Sequence, residues 1–509
     1  MNVVLISMQD NLNVIGLRYI HYYLLNNNHR SFLLFLPKLK SKDVSYENIR
    51  DFISKAKPGL IGFSLMSREF YLVRDLTLFI KREFPQIPVV WGGIHPSMAS
   101  KMCLEYTDYV CVGEGERTIL DLANFIESGK NPKEINNLCY LENGIMKSNN
   151  LYPFIEDLDS LPICEHIPKD SFIMHKDRVF SLGSKLLRKF DQHFGLIYHI
   201  MSSRGCPFSC TYCCNNFFLR LYKTKKVRTR SASSIILELK KAISTNPDIE
   251  WVSFQDDCFL AYNEEYIKEF SSVYKKIINK PFIIRAIPIY VSEAKISYLK
   301  KAGLSWAFLG LQSGSDQVCR EIYKRSSFKS DFLRATNLLN KYKIATFCDV
   351  IADNPFESDE DRLETVKALI ETPKPIFPKL FSMVFFQGTE IFEKASQEFP
   401  ETVNNFLNKD FMVYKKDVIN SLIRLSAFLN KTYMESLIFS YKVDPKGMVF
   451  KTKLFIGRIL SLFIFEPLTY FQIAVLSNNG SYKGVIKNFY RNLQPGLVRY
   501  FNQFKDQKY

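Results

Sequence analysis

The 509-residue sequence predicts an α/β protein made of two successive runs of alternating strands and helices, followed by a mainly helical C-terminal region. Three observations carry that reading. In the first 135 residues the strand-like segments are continuously apolar and are separated by amphipathic stretches, the pattern of a parallel sheet covered on both faces. The same alternation resumes after residue 195 and runs through six βα units. Beyond residue 400 it gives way to basic, aromatic-rich sequence with helical periodicity.

The first run contains strand candidates at 3–7, 31–36, 60–64, 89–91 and 109–112, with helix candidates at 14–27, 71–84 and 117–128. Residues 1–135 are therefore read as a Rossmann-like, flavodoxin-like domain, doubly wound about a parallel sheet. Ligands of such sheets gather in loops beyond the strands' carboxyl ends. Here those loops hold residues 11–16, Ser64-Leu65-Met66, Gly92-Gly93-Ile94-His95-Pro96 and Gly113-Glu114-Gly115-Glu116. Residues 136–195 read as an irregular connector with a turn-rich hinge, Leu158-Asp159-Ser160-Leu161-Pro162. In the second run, 196–400, strands are expected at 198–203, 251–255, 282–287, 306–311, 345–351 and 379–384.

Immediately after the first of these strands comes Arg204-Gly205-Cys206-Pro207-Phe208-Ser209-Cys210-Thr211-Tyr212-Cys213. The CxxxCxxC spacing offers three thiolates to an iron-sulfur cluster and withholds the fourth. An iron without a protein ligand can chelate the amino and carboxylate groups of S-adenosylmethionine, and an electron from the cluster then breaks the sulfur-carbon bond. The competing reading is structural zinc, which wants four ligands and usually two CxxC pairs. No second pair is present, and Cys214 adjoins Cys213 too closely to share its metal.

The triplet resembles the signature of the radical SAM superfamily. That resemblance implies a 4Fe-4S cluster on Cys206, Cys210 and Cys213, a (β/α)6 partial TIM barrel, and Tyr212 against the adenine of S-adenosylmethionine. It extends to Phe254-Gln255-Asp256-Asp257-Cys258-Phe259, similar to the F-x-D-D-x-F of cobalamin-linked members, which makes Asp256 and Asp257 candidates for the amino group. Gly310-Leu311-Gln312-Ser313-Gly314-Ser315 resembles G-[IL]-E-S-G-S, with Gln312 and Ser313 expected at the ribose and an amide where the family has a carboxylate. Asp353-Asn354-Pro355-Phe356-Glu357 and Gln387-Gly388-Thr389 depart further from their family counterparts.

The loops of the first domain resemble a cobalamin-binding domain with the pattern D-x-H-x-x-G, S-x-L, Gly-Gly. The sequence has Asn11-Leu12-Asn13-Val14-Ile15-Gly16, Ser64-Leu65-Met66 and Gly92-Gly93, so Ser64, Gly92, Gly93, Gly113 and Glu114 are the candidate cobalamin contacts. Asn13 stands where the cobalt-ligating histidine would be. The implied state is His-off, with His95 orienting its loop.

Composition bounds the rest. With 47% hydrophobic and 24% charged residues the chain is globular. Eleven scattered cysteines and an N-terminus without a basic signal region point to a reducing cytoplasm. The net charge is +16, and residues 411–509 hold fifteen Lys/Arg against five Asp/Glu. Such a tail seeks anions, either nucleic acid or an anionic membrane surface. The apolar stretch 451–476 is interrupted by Arg458, Glu466 and Pro467, so neither half is expected to span a membrane. The readings are a helix in the membrane interface, a cover over an apolar substrate, or a core helix of the domain 401–509.

Together these features imply a cobalamin-dependent radical SAM enzyme, foremost a methyltransferase acting on an unactivated carbon of an apolar, lipid-like small molecule, with flavodoxin or ferredoxin as electron donor. A variant on the same domains performs cyclisation, coupling or rearrangement without net methyl transfer. An RNA-modifying radical SAM enzyme is the further alternative. The scattered Cys103, Cys111, Cys139 and Cys164 do not form the second cysteine set that such proteins carry.

Overall fold

The computed structural model describes residues 1–37, 46–190, 196–404, 406–407 and 409–477. The end of the basic tail, 478–509, lies outside the described residues. The first sheet has nine strands. Its centre is the expected parallel set: β1 (Asn2–Ser7), β2 (Arg30–Phe35), β3 (Leu60–Ser64), β4 (Val89–Gly92) and β5 (Tyr109–Cys111). They lie in the order β5-β4-β3-β1-β2, with all four pairings parallel. Both faces of β1 are buried because its side chains feed two cores, Val4 and Ile6 on one side and Val3 and Leu5 on the other. Chain order reverses between β1 and β3, which is where an open parallel sheet leaves a crevice for a ligand.

The segment 136–195 is more regular than its sequence pattern suggests. It supplies two hairpins, β6 (Leu138–Glu142) with β7 (Ile145–Ser148), and β8 (Ser171–His175) with β9 (Arg178–Ser181). These widen the first sheet at both edges, β6 against β5 and β8 against β2. The cause is local. Asn143-Gly144 and Lys176-Asp177 take left-handed backbone angles, as two-residue hairpin turns require, but the strands they join are only four or five residues long and the outer two, β7 and β9, are largely exposed. Residue 135 is therefore not an edge of this sheet.

The second sheet comprises β10 (Ile197–Ile200), β13 (Trp251–Phe254), β14 (Phe282–Ala286), β15 (Leu304–Gln312), β16 (Ala345–Ala352) and β17 (Ile376–Ser382), all parallel and in chain order. This is the expected six-stranded partial barrel. A small antiparallel pair, β11 (Ser203–Arg204) and β12 (Arg228–Thr229), brackets the cysteine loop. Alternate residues pack outward under the barrel helices, among them Tyr198, Phe254, Ile284, Leu309 and Val350.

The C-terminal region is helical as expected, but its apolar stretch is continuous. Helices Met448–Leu460 and Glu466–Ser477 are joined through a π turn, Ser461–Phe465. Met448–Leu476 is long and apolar enough to cross a membrane by length and composition alone. Its interrupting charges are engaged: Glu466 pairs with Arg424 at 2.8 Å, and Arg458 donates to Ser421 at 2.7 Å. Phe450 and Leu454 enter the main core and Ile473 enters the floor of the barrel, whereas Met448, Val449, Phe455 and Phe463 stay exposed.

Candidate active site

Five loops beyond the carboxyl ends of β1, β3, β4, β5 and β10 meet around one cavity of about 260 Å³. From the first sheet it is lined by Leu5, Gly62, Val90 and Cys111 in depth, and by Gly16, Ser64, Gly92, Gly93, Gly113 and Glu114 at its rim. From the barrel it is lined by Met201 and Arg204. Cys206 follows two residues later. The two domains thus face each other across a space that begins in the crevice of one sheet and ends at the cysteine loop of the other.

The loop Gly113-Glu114-Gly115-Glu116 is the hinge pin of this arrangement. Arg204 donates to Glu114 at 3.1 Å and to Glu116 at 2.5 Å, and Arg228 donates to Glu114 at 2.7 Å. The two arginines hold the Glu114 carboxyl below the usual range against the opposing effect of burial. Gly113 has φ +83°, and a Cβ there would collide with the Tyr222 hydroxyl, which accepts from the Glu114 N–H at 3.4 Å. Tyr222 ends the helix Cys214–Tyr222 that follows the last cysteine. Glu114 accordingly lines the cavity, but its charge is committed to the domain interface instead of to a ligand.

The cysteine loop leaves β11 through Gly205, φ +100°, whose Cβ would lie 2.9 Å from the Lys226 carbonyl. Cys206 and Cys210 are buried and Cys213 is half-buried. Burial raises the thiols of Cys206 and Cys210, whereas a hydrogen bond from the Cys214 thiol lowers that of Cys213. Among the described residues no three His, Cys, Asp or Glu side chains converge closely enough to share one metal ion.

Of the residues expected at S-adenosylmethionine, three remain available around the loop. Asp257 is exposed at the barrel mouth and bonded to Asn215. Gln312 closes β15 in a left-handed conformation, φ +66°, and Tyr212 packs edge-on to Tyr323 at 4.9 Å. The structure assigns Asp256 and Ser313 other work. Asp256 is fully buried and accepts from Ser202 Oγ at 2.7 Å and from Ser203 Oγ, bracing the entry to the cysteine loop. Ser313 is 1% exposed and donates to Glu357 at 2.6 Å; burial pushes the Glu357 carboxyl up to about 7. Adjacent polar residues on a strand-end turn cannot both face the mouth, and sequence alone does not say which is turned under.

Arg325 escaped the sequence reading. Its guanidinium lies 4.0 Å from Cys210 Sγ and 3.5 Å from the Tyr212 hydroxyl, donates to the Gly310 carbonyl at 3.0 Å, and leaves Nε buried without a partner. Nothing in spacing singles it out among 68 Lys and Arg. His95 is buried, bonded through Nδ1 to Ser67 at 2.9 Å, and burial lowers it to about 4. It orients its loop, and among the described residues no histidine lines the cavity.

Comparison with known proteins now places both halves. Residues 1–123 match the B12 binding domain, and residues 200–369 match the radical SAM superfamily. The chain thus carries a B12 binding domain followed by a radical SAM domain. Cobalamin, a 4Fe-4S cluster and S-adenosylmethionine are the cofactors of these two domains. An uncharacterized methyltransferase of Pyrococcus horikoshii is 24% identical over 331 residues, 64% of this chain and 67% of the relative. An anaerobic magnesium-protoporphyrin IX monomethyl ester cyclase of Synechocystis sp. is 25% identical over 325 residues, 61% of this chain, and the match spans 59% of the cyclase. The solved structure of the cobalamin-dependent S-adenosylmethionine radical enzyme OxsB, with aqua-cobalamin and S-adenosylmethionine bound, superposes with TM-score 0.66 at 15% identity over 98% of this chain and 81% of that one. At that identity the likeness concerns the fold.

The residues present fit the cofactors. Glycine backbone and apolar side chains, Gly62, Gly92, Gly93, Leu5 and Val90 among them, make up much of the wall of the cleft at the sheet's switch point, as a nucleotide tail threaded against a sheet requires. At the barrel, the three thiols of one loop are approached from two other loops by a cation and a carboxylate, Arg325 and Asp257, whose charges oppose those of an amino acid's two ends.

Proposed function

We propose that this chain is a cobalamin-dependent radical SAM methyltransferase that adds a methyl group to an unactivated carbon of an apolar, lipid-like substrate. The observation that carries the reading is the shared cavity wall: Met201 and Arg204, at the threshold of the cysteine loop, line the same cavity as Gly16, Gly92 and Gly93. When bound, the cofactors supply hydrogen abstraction from carbon and a transferable methyl group. The protein's part is placement. Arg204, Arg228 and Tyr222 hold the cobalamin loop against the cysteine loop, so a substrate between them is within reach of both. Asp257 and Arg325 offer opposite charges to the amino and carboxylate groups of S-adenosylmethionine, and Tyr212 and Gln312 bound the adenosine side.

The methyltransferase relative supports this chemistry, and the cyclase relative supports the second reading, ring formation or coupling without methyl delivery. Product mass separates them. We expect a gain of one methylene equivalent per turnover from anaerobically reconstituted enzyme supplied with a reduced flavodoxin; a loss of two hydrogens would select the second reading.

The apolar substrate is argued from the C-terminal helix. Met448, Phe455 and Phe463 are 80%, 64% and 72% exposed beside Lys451 and Arg458, a combination suited to the surface of an anionic membrane. The enzyme should float with phosphatidylglycerol vesicles, and Phe455→Ser with Phe463→Ser should leave it in the soluble fraction. Equal flotation of both proteins would remove this support.

A further inference from the structure

The helix that follows the cysteine loop ends in a basic turn outside both cofactor sites. Lys223 closes the helix Cys214–Tyr222 in a left-handed conformation, φ +52°, and the chain runs on through Thr224, Lys225 and Lys226 to β12, which pairs with β11. This return path presses the turn against the cysteine loop: a Cβ on Gly205, the residue before Cys206, would lie 2.9 Å from the Lys226 carbonyl. Farther along the loop, Ser209, the residue before Cys210, lines a hollow of about 230 Å³ together with Asn216, Arg220, Lys223 and Lys225. Asn216 joins this wall to the cysteines. Its side-chain amide donates to the Ser209 carbonyl at 2.8 Å, and its backbone N–H donates to the Cys213 carbonyl at 3.1 Å.

Two lysines of this hollow are left over once its other charges are matched. Arg220 is committed, donating to the Gly388 carbonyl at 2.7 Å with Glu393 at 3.6 Å. Lys226 pairs with Glu156, and Glu390, which accepts from Asn216 at 3.4 Å, is taken by Lys324. Lys223 and Lys225 are exposed, and among the described residues their amino groups enter no ion pair or hydrogen bond. The hollow shares no lining residue with the cobalamin cavity, and Asn215, beside Asn216, bonds to Asp257. A partner seated on the two lysines therefore leaves the approaches to both cofactors open.

We propose that this turn is the docking surface for the protein that supplies the electron, a small acidic carrier of the flavodoxin type. Electron transfer falls off steeply with distance, and the turn abuts the residues that immediately precede Cys206 and Cys210. One electron leaves the carrier, which is oxidised, and enters the cluster, which is reduced; cleavage of the sulfur-carbon bond of S-adenosylmethionine then consumes it. Unpaired lysines on a rim steer an acidic partner to the surface and make its association fall with salt. Carboxylates interspersed among the cations, Glu156, Glu390 and Glu393, suit the mixed polar rim of a protein-protein contact and interrupt the cationic track that a nucleic-acid backbone follows. The assignment rests on the radical SAM reading and adds to it the place where the reductant binds.

The test is calorimetric titration of the holoenzyme, loaded with cluster and cobalamin, with oxidised flavodoxin at low and at physiological salt, joined to 5'-deoxyadenosine formation driven by reduced flavodoxin or by dithionite. Flavodoxin should bind, more weakly as salt rises. Lys223→Glu with Lys225→Glu should weaken binding tenfold or more at low salt and slow the flavodoxin-driven reaction at limiting flavodoxin, while the dithionite-driven rate stays within twofold of the unaltered enzyme's. Lys223→Arg with Lys225→Arg should keep the affinity. If the double glutamate variant does not fold, Lys225→Glu alone decides by the same comparison. Unchanged affinity in the glutamate variant, equal losses with both reductants, no binding of flavodoxin, or tight binding of an RNA oligonucleotide that the glutamate substitutions abolish would overturn the surface. The two failures are kept apart by dithionite: unaltered enzyme that forms no 5'-deoxyadenosine even with it refutes the radical SAM reading, and the surface with it.

Discussion

Replacing Cys206, Cys210 or Cys213 singly by alanine is expected to abolish cleavage of S-adenosylmethionine while cobalamin remains bound. Each thiolate would hold a different iron of the cluster, so loss of one would leave an incomplete cage instead of a weakened one. The cobalamin cavity should survive because its walls come from the first sheet, from Met201 and from Arg204, and the loop is braced independently by Asp256 on Ser202 and by Arg204 on Glu116. Cys214→Ala is the control. Its thiol bonds to Cys213 and begins the following helix, so the variant should keep its cluster. The measurements are iron content, the cluster's visible absorbance and 5'-deoxyadenosine formation under reducing, oxygen-free conditions. Full 5'-deoxyadenosine production by the triple variant would overturn the assignment, and cluster loss in Cys214→Ala alone would transfer the third ligand to that residue.

The sequence made most of the architecture legible because both sheets are parallel and buried, which writes each strand as an unbroken apolar run. Where strands are only four or five residues long, as in β6 to β9, the signal is carried by turns such as Asn143-Gly144, and the segment reads as a connector. The site divides along a similar line. Spacing draws out the cysteines because three thiols on one loop are a local pattern. It could not rank Asp256 against Asp257, since which carboxylate turns under Ser202 is settled by packing around β10 and β13. Ser313 is turned under in the same way, its hydroxyl being drawn to Glu357 on the next loop. Glu114 lines the cavity, but its partners Arg204 and Arg228 lie about a hundred positions away and no local pattern announces them. Arg325 is likewise joined to Cys210 only by folding.

Gly16→Leu should eliminate cobalamin binding without unfolding the protein, and this separates a cofactor-shaped space from a merely empty one. Gly16 lines the cavity, yet a Cβ built on it meets no protein atom within 4 Å, so a larger side chain enters the space the cofactor needs and displaces nothing else. It lies in the first turn of the helix Ile15–Asn26, where replacing glycine by leucine relieves a helix penalty of up to about 1 kcal/mol. The melting temperature of the apoprotein should therefore hold or rise while cobalamin retention falls below detection. Gly93→Leu makes the contrast. At φ +100°, with the Leu65 carbonyl 3.0 Å from the added atom, it strains the loop itself, and both stability and cobalamin should be lost. Gly16→Leu protein that is stable, lacks cobalamin and still yields 5'-deoxyadenosine would show the two cofactor sites to be separable, each built by its own domain. Normal cobalamin content in that variant would mean that the crevice between β1 and β3 is not where the cofactor binds.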